Sequence, residues 1–201
     1  MDFSTVCENL TRRGYKVASF ETKEEAKAYI LRTVERRIVA FGGSMTLEEM
    51  GLYEALGEKN SVIWHWRIPK GASPADVRRE AVSADVYISS VNGLSEEGEI
   101  VNIDGTCNRV ASMLYGHERL ILVVGKNKLA KDYDGALYRA RNIAAPKNAQ
   151  RLNMKTPCAV NGDRCFDCKS PERICRALTV LWEKPNGADI EIILVNEDLG
   201  Y

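Results

Sequence analysis

The chain has 201 residues and balances 28 lysines and arginines against 28 aspartates and glutamates, so its formal net charge is zero. This length suits one large α/β core, and the balanced charge argues against nucleic acids and membrane surfaces as partners. The N-terminal segment lacks the apolar stretch of a signal peptide, and no apolar run is long enough to span a bilayer. We therefore expect a cytoplasmic protein without membrane insertion.

Strand and helix patterns alternate through most of the chain. An amphipathic helix is predicted over residues 3–13 and a strand over residues 17–20, and the capping-box pair Thr22 and Glu25 begins a second helix. Further strands are predicted at residues 37–41, 62–66, 84–91, 99–103 and 120–124. The alternation predicts a single three-layer α/β domain over residues 1–201, with an open and mainly parallel sheet.

The C-terminal third departs from this alternation. A helix is predicted over residues 134–144, and Pro146 is expected to interrupt it. Two extended runs, residues 177–183 and 190–195, are joined by turn-forming residues at 185–187. This pattern predicts a C-terminal hairpin that extends one edge of a sheet.

Residues 84–114 form the stretch richest in polar turn residues. The predicted strand at residues 99–103 passes through a tight turn at Asp104 and Gly105 into a helix, so the amides of Thr106, Cys107 and Asn108 are expected to be unpaired at a helix N-terminus. Such a terminus favours a phosphate or a carboxylate. The alternative is that Asp104 or Thr106 caps the helix without any ligand. The side chains predicted to crowd this site are Asn92, Asn102, Asp104, Asn108 and Arg109.

Two other strand ends carry candidate ligand-binding residues. Gly42, Gly43 and Ser44 follow the strand at residues 37–41 and predict either a backbone binding loop or a tight turn with a serine cap. Lys126 follows the strand at residues 120–124, where doubly wound sheets bind ligands, although a solvated basic loop also fits. His65 is interpreted as a packing residue between two tryptophans and not as a site residue.

A cysteine-rich segment spans residues 156–176. Cys158, Cys165, Cys168 and Cys175 are separated by six, two and six residues, and four thiolates in tetrahedral geometry hold zinc or an iron–sulfur cluster. The alternatives are reduced, partly buried thiols, or a redox pair formed by Cys165 and Cys168.

The sequence resembles the lactate-utilisation (LUD) domain family from about residue 20 to the C-terminus. The resemblance rests on GGSMTL, ADVYISSVNGLSEEGEIVNIDGTCNRVA, LILVVGKNKL and the AxxNAxR run at residues 145–151. It implies an open sheet with a site at the strand ends, as in sugar-phosphate isomerases and coenzyme A transferases. The central block is also similar to the NG...NKxGT block of methylthioribose-phosphate isomerases. It departs from that block at residues 102–104, where the expected lysine is missing.

The family resemblance implies a role in bacterial lactate or organic-acid utilisation beside an iron–sulfur protein partner. Our first hypothesis is a protein that binds a small anionic metabolite at the Gly105 corner. The second is a stand-alone isomerase- or transferase-like enzyme on a phosphorylated or carboxylated metabolite, with Asp104 or Glu99 as acid or base and Cys107 assisting. The third is a metal-carrying accessory subunit without catalysis.

Overall fold

A six-stranded sheet forms the centre of the computed structural model, which describes residues 2–201. Every neighbouring pair of its strands is parallel. In order across the sheet, the strands are β1 (Lys16–Phe20), β10 (Ile190–Val195), β7 (Arg119–Gly125), β4 (Val86–Ser90), β2 (Ile38–Phe41) and β3 (Ser61–Trp64). The predicted open, mainly parallel sheet is therefore confirmed.

Helices cover both faces of this sheet and give the three layers. Successive residues of β7 point into different cores, with Leu122 on one face and Val123 on the other. Both faces are apolar because both are covered. The helices are α1 (Ser4–Arg12), α2 (Lys23–Thr33), α3 (Met45–Glu49), α4 (Leu52–Gly57), α5 (Pro74–Ala81), α6 (Asn108–Leu114), α7 (Tyr133–Arg139), α8 (Ala145–Arg151) and α9 (Pro157–Asn161). No helix within residues 2–201 combines the length and the apolar content needed to cross a bilayer.

Helix starts follow local capping chemistry. The predicted capping box at Thr22 and Glu25 is present, because each side chain bonds the other's backbone N–H. Ser73 and Asp76 form a second box that begins α5, with Pro74 as its first residue.

A second, smaller sheet lies beside the main one, and it overturns the predicted C-terminal hairpin. Its strands are, in order, β8 (Leu129–Ala130), β5 (Gly93–Ser95), β6 (Ile100–Asp104) and β9 (Ala177–Leu181). β9 pairs antiparallel with β6, whereas β10 enters the main sheet between β1 and β7. The turn at residues 185–187 therefore connects two sheets. The physical reason is burial: all six residues of β10 are buried, so this strand needs cover on both faces.

The helical stretch that contains Pro146 continues through the proline, contrary to the prediction. α7 passes into a π-helical turn at Ala140–Ala144, and α8 follows directly. A proline lacks an N–H and clashes with the preceding turn, and the wider π turn accommodates it at the start of α8. This arrangement carries Asn148 and Arg151 to the carboxyl ends of the main sheet.

Candidate functional site

A pocket of about 450 Å³ lies at the carboxyl ends of β2, β3 and β4. The chain runs outward from β2 to the edge strand β3 and then returns across β2 to β4, so the strand order reverses at this place. Open α/β sheets bind ligands at such a reversal because two loops diverge and leave a crevice. The loops that follow β2 and β4 contribute Gly43, Ser44 and Asn92 to the lining.

Arg109 holds one pocket wall together through its terminal nitrogens, which bond neighbouring residues. One terminal nitrogen donates to Asn102 Oδ1 (2.7 Å) and to the Ser90 carbonyl (3.2 Å), and the other donates to Asn92 Oδ1 (3.1 Å) and to the Ile103 carbonyl (2.8 Å). Its Nε lies 3.5 Å from Asp104 Oδ2. A guanidinium has five N–H donors, and the four on the terminal nitrogens are used in these hydrogen bonds, while Nε faces Asp104 in an ion pair. Arg109 therefore ties β4 to β6.

The turn after β6 is closed by Asp104. Its Oδ1 accepts hydrogen bonds from the backbone N–H groups of Thr106 (3.0 Å) and Cys107 (2.9 Å). The expectation that these two amides are unpaired is therefore wrong, because Asp104 satisfies both of them within the turn that precedes α6, whose N-cap is Cys107. Thr106 and Asn108 line the pocket, whereas Cys107 does not and instead adopts a left-handed conformation at φ 67°.

Gly105 occupies the same turn because a side chain would not fit there. A Cβ at this position would lie 2.6 Å from the Ile174 carbonyl oxygen, which belongs to the cysteine-rich segment. The glycine therefore permits close approach of two backbones and does not supply a positive φ, since the left-handed residue of this turn is Cys107.

In the loop after β2, glycines allow close packing and a serine caps the next helix. A Cβ on Gly42 would lie 2.5 Å from Ser89 Oγ, so this residue packs against β4 and lies outside the lining. Gly43 faces the rings of His65 and Trp66. Ser44 lines the pocket, and its Oγ accepts a hydrogen bond from Leu47 N (3.4 Å), which makes it the cap of α3.

The pocket lysine is Lys128, and Lys126 lies outside the lining. Lys128 is 4 % exposed, and its Nζ donates to Thr46 Oγ1 (2.8 Å) and to Ser90 Oγ (2.8 Å). It has no ion pair among residues 2–201. Burial, reinforced by the positive charges of Arg139 and Arg109, lowers the pKa of Lys128 to about 7.

Several lining residues could not be assigned to the site from the sequence. Arg151 donates to Asn148 Oδ1 through Nε (3.0 Å) and one terminal nitrogen (2.9 Å), and its guanidinium lies over the Trp66 ring at 4.6 Å. Arg78 Nε is buried and has no hydrogen-bond partner among the described residues. Burial and the charge of Arg78 lower the pKa of His65 to about 4, so its imidazole is neutral at pH 7. These side chains come from three separate segments, so the sequence alone does not show that they lie together.

The sequence pattern of the LUD domain matches residues 4–195, nearly the whole chain. The chain belongs to the LUD domain family. Membership associates the protein with lactate utilisation, as the sequence resemblance implied. No curated protein matches the chain.

Two solved structures align with this LUD domain at low sequence identity. A DUF162 family protein from Deinococcus radiodurans aligns with 98 % of this chain and 99 % of its own, with a TM-score of 0.53 and 12 % identity. At that identity the likeness shows a common fold. The β subunit of eIF2B from Chaetomium thermophilum aligns with 66 % of this chain and 44 % of its own, with a TM-score of 0.34 and 11 % identity.

Glu99, a predicted acid or base, lies outside the pocket of this LUD domain. Its carboxylate pairs with Arg13 at 2.5 Å and accepts a hydrogen bond from the Ser95 hydroxyl. These contacts join α1 to the small sheet, so Glu99 is placed for a structural role.

The four cysteines of the cysteine-rich segment line a second cavity, of about 350 Å³. All four are free thiols of intermediate exposure. Within residues 2–201 no three His, Cys, Asp or Glu side chains converge closely enough to hold one metal ion. The cavity shares Ile103, Ala145 and Ile174 with the first pocket of the LUD domain, so one layer of side chains separates the two.

Proposed function

We propose that this LUD domain protein binds a small anionic metabolite, a carboxylate or a phosphate ester, in the pocket at the carboxyl ends of β2, β3 and β4. The observation that carries the proposal is a set of cations without counter-ions in one cavity. Lys128 is buried without an ion pair, and Arg78 Nε is buried without any acceptor. A buried charge is costly unless it is paired, so these groups favour a negatively charged ligand.

The charge balance of the lining supports an anion over a cation or a neutral ligand. Asp104 is the one acidic side chain among the described lining residues, and Arg109 pairs with it. Arg78, Arg151 and Lys128, which is partly protonated at its pKa of about 7, then leave an excess of positive charge, while His65 is neutral at pH 7. A cavity of about 450 Å³ suits a small metabolite.

The donors that remain available also suit an oxyanion. Lys128 uses two of its three N–H donors on hydroxyls, which leaves one. Arg151 uses Nε and one terminal nitrogen on Asn148, which leaves the second terminal nitrogen. Charge-assisted hydrogen bonds from such groups to a carboxylate or phosphate are about twice as strong as neutral ones.

This proposal assigns binding to residues other than those first predicted to act chemically. Both carboxylate oxygens of Asp104 are engaged, by two amides and by Arg109, so we propose a turn-closing role for it in place of acid–base chemistry. The iron–sulfur protein partner implied by the family resemblance stays a prediction.

The proposal is tested by calorimetry with anions selected from a panel of carboxylates and sugar phosphates by thermal shift. Arg78→Gln is expected to weaken binding of the best anion at least about tenfold, or about 1.4 kcal/mol, because a charge-assisted bond is lost. Arg79→Gln is the matched control, because Arg79 is adjacent to Arg78 in the chain and its side chain is 76 % exposed. The affinity of this variant for the anion should equal that of the parent. Equal affinity of the Arg78→Gln variant, or stabilisation by neutral analogues as large as that by anions, would refute the proposal.

A further inference from the structure

Lys128 places an amine at the point where the strand order of the main sheet reverses. It ends the short turn Lys126–Lys128 that follows β7, and it is the one lysine among the described residues that line the pocket. Its Nζ bonds Thr46, which lies in α3 after β2, and Ser90, the last residue of β4. The amine therefore bridges the carboxyl ends of β2 and β4, where the pocket opens.

Both hydroxyls that contact Lys128 already donate their hydrogens elsewhere. Thr46 Oγ1 donates to the Leu199 carbonyl (3.1 Å), and Ser90 Oγ donates to the Val123 carbonyl (2.6 Å). A hydroxyl has a single hydrogen, so each of these oxygens can only accept a hydrogen bond from Nζ. Lys128 must therefore use two N–H groups to satisfy them.

The neutral form of Lys128 satisfies both hydroxyls and keeps a free lone pair. A neutral amine has two N–H groups and one lone pair, whereas the ammonium form has three N–H groups. The two N–H groups meet Thr46 and Ser90, so the lone pair takes the remaining tetrahedral position. Within residues 2–201, no further polar atom hydrogen-bonds to Nζ. The remaining position of the nitrogen is therefore available to a ligand.

The surroundings of Lys128 keep a large share of it neutral. Burial has the largest effect on its pKa, the positive charges of Arg139 and Arg109 act in the same direction, and Glu49 opposes them. Arg139 is fixed in place, since its Nε donates to the Asn127 carbonyl (2.6 Å). With a pKa of about 7, about half of Lys128 is amine at pH 7, whereas an ordinary lysine is less than about 0.1 % amine. Lys128 is thus a nucleophile at neutral pH.

We infer that Lys128 forms an imine with an aldehyde or ketone group of the anion bound in this pocket. The inference rests on the proposed function, because Arg78 and Arg151 hold the anionic group while the amine meets the carbonyl carbon. It narrows the ligand to an anionic carbonyl compound, either a 2-oxo acid or a phosphorylated aldehyde or ketone. Lysine attacks carbonyl groups in its neutral form, and desolvation beside other cations is the environment that produces this form.

The reaction releases one water and needs no other reagent. The lone pair of Nζ attacks the carbonyl carbon, and a proton passes from the nitrogen to the former carbonyl oxygen, which gives a carbinolamine. The C–O bond then breaks, water leaves and the C=N double bond forms. No electrons pass to another molecule, and addition of water returns the free lysine. An anion without a carbonyl group cannot react in this way, so only its attraction to the ammonium form contributes at Lys128.

The test is reductive trapping of the full chain with sodium cyanoborohydride in the presence of 2-oxobutanoate or glyceraldehyde 3-phosphate. The reagent reduces an imine to a stable secondary amine, so the protein should gain the mass of the probe less one oxygen atom. Peptide mass spectrometry should find Lys128 labelled at least about tenfold more than Lys126, which lies outside the lining. Labelling of Lys128 by either probe supports the inference. No adduct at Lys128, or equal labelling of Lys126, would overturn it.

Competition on the parent protein gives a second readout that does not require a variant to fold. 2-Hydroxybutanoate has the charge of 2-oxobutanoate without its carbonyl group, so it should slow the labelling of Lys128. Butanone has the carbonyl group without the charge and should label Lys128 at least about tenfold more slowly than 2-oxobutanoate. Labelling that 2-hydroxybutanoate does not slow, or equally fast labelling by butanone, would contradict an imine formed by a bound anion.

The variants and calorimetry separate this inference from the proposed function. Lys128→Met should lose the adduct, and Lys126→Met should keep it. Calorimetric binding of 2-oxobutanoate to the parent without an adduct at Lys128 would overturn the imine and leave anion binding intact. The absence of any anion binding by calorimetry would overturn the proposed function as well.

Discussion

Replacing Arg109 should destabilise the fold before it affects any ligand. Arg109→Met removes four hydrogen bonds to Ser90, Asn92, Asn102 and Ile103, and the ion pair with Asp104. A hydrogen bond from a charged donor contributes about 1.5–3 kcal/mol to stability, but most of these acceptor oxygens keep a second hydrogen bond when Arg109 is replaced. The largest loss in stability comes from the ion pair, because the poorly exposed Asp104 carboxylate is left without its counter-ion. Breaking such a pair costs about 3–5 kcal/mol.

That loss is large against a total free energy of unfolding of about 5–15 kcal/mol. Urea denaturation followed by circular dichroism should therefore show a much lower midpoint for Arg109→Met. Arg109→Lys should lose about 1–3 kcal/mol, because a lysine keeps the charge but not the forked donors. Arg79→Met, on an exposed surface, should stay within about 0.5 kcal/mol of the parent. A folded Arg109→Met variant that loses less than about 1 kcal/mol would refute the structural role and restore Arg109 as a direct ligand.

Two further predictions concern the lysine and the glycine of the site. The pKa of Lys128 is lowered from 10.5 to about 7, so its positive charge is lost as the pH rises through 7. The anion affinity measured by calorimetry should therefore fall between pH 6 and 9, by up to about tenfold per pH unit. Lys128→Met should bind more weakly and lose this slope, since His65 is neutral throughout that range; an unchanged slope would contradict the assignment. Gly105→Ala should lower the free energy of unfolding by about 1–3 kcal/mol, because its Cβ meets the Ile174 carbonyl at 2.6 Å. Gly57→Ala, where a Cβ meets Val62 at 3.4 Å, is the control, and equal urea midpoints for the two variants would contradict the steric account.

The main sheet was predictable because its signals are local. Strands such as β7 are short apolar runs between turn residues, and the helix after β1 begins with a capping box. The predicted hairpin was wrong because turn residues between two extended runs do not specify which strands those runs pair with. The pattern of β10, IEIILV, is apolar at every position except Glu191 and is typical of a central parallel strand, whereas β9 is partly exposed.

The structure brings some of the predicted site residues together, and their hydrogen bonds explain why their crowding in the sequence was informative about structure. Asn92, Asn102, Asp104 and Arg109 do lie together, but they bond one another and hold β4, β6 and α6 in place. Polar residues that are close in sequence readily satisfy each other, so their crowding does not reveal a ligand.

The cations that remain available come from distant segments. Arg78 lies on α5, Lys128 follows β7, and Arg151 ends α8. Each alone has the pattern of an ordinary surface or helix residue. Only the strand order, which brings the ends of β2 and β4 together, places these side chains in one pocket.

A crystal structure of the protein with its tightest-binding carboxylate or phosphate ester tests the central claim most directly. The account predicts that the anion contacts Arg78 Nε, with Lys128 and Arg151 around it, and leaves the hydrogen bonds of Arg109 unchanged. An anion bound instead at the exposed basic surface of Arg36, Arg37 and Lys59, with no anion beside Arg78, would contradict the account.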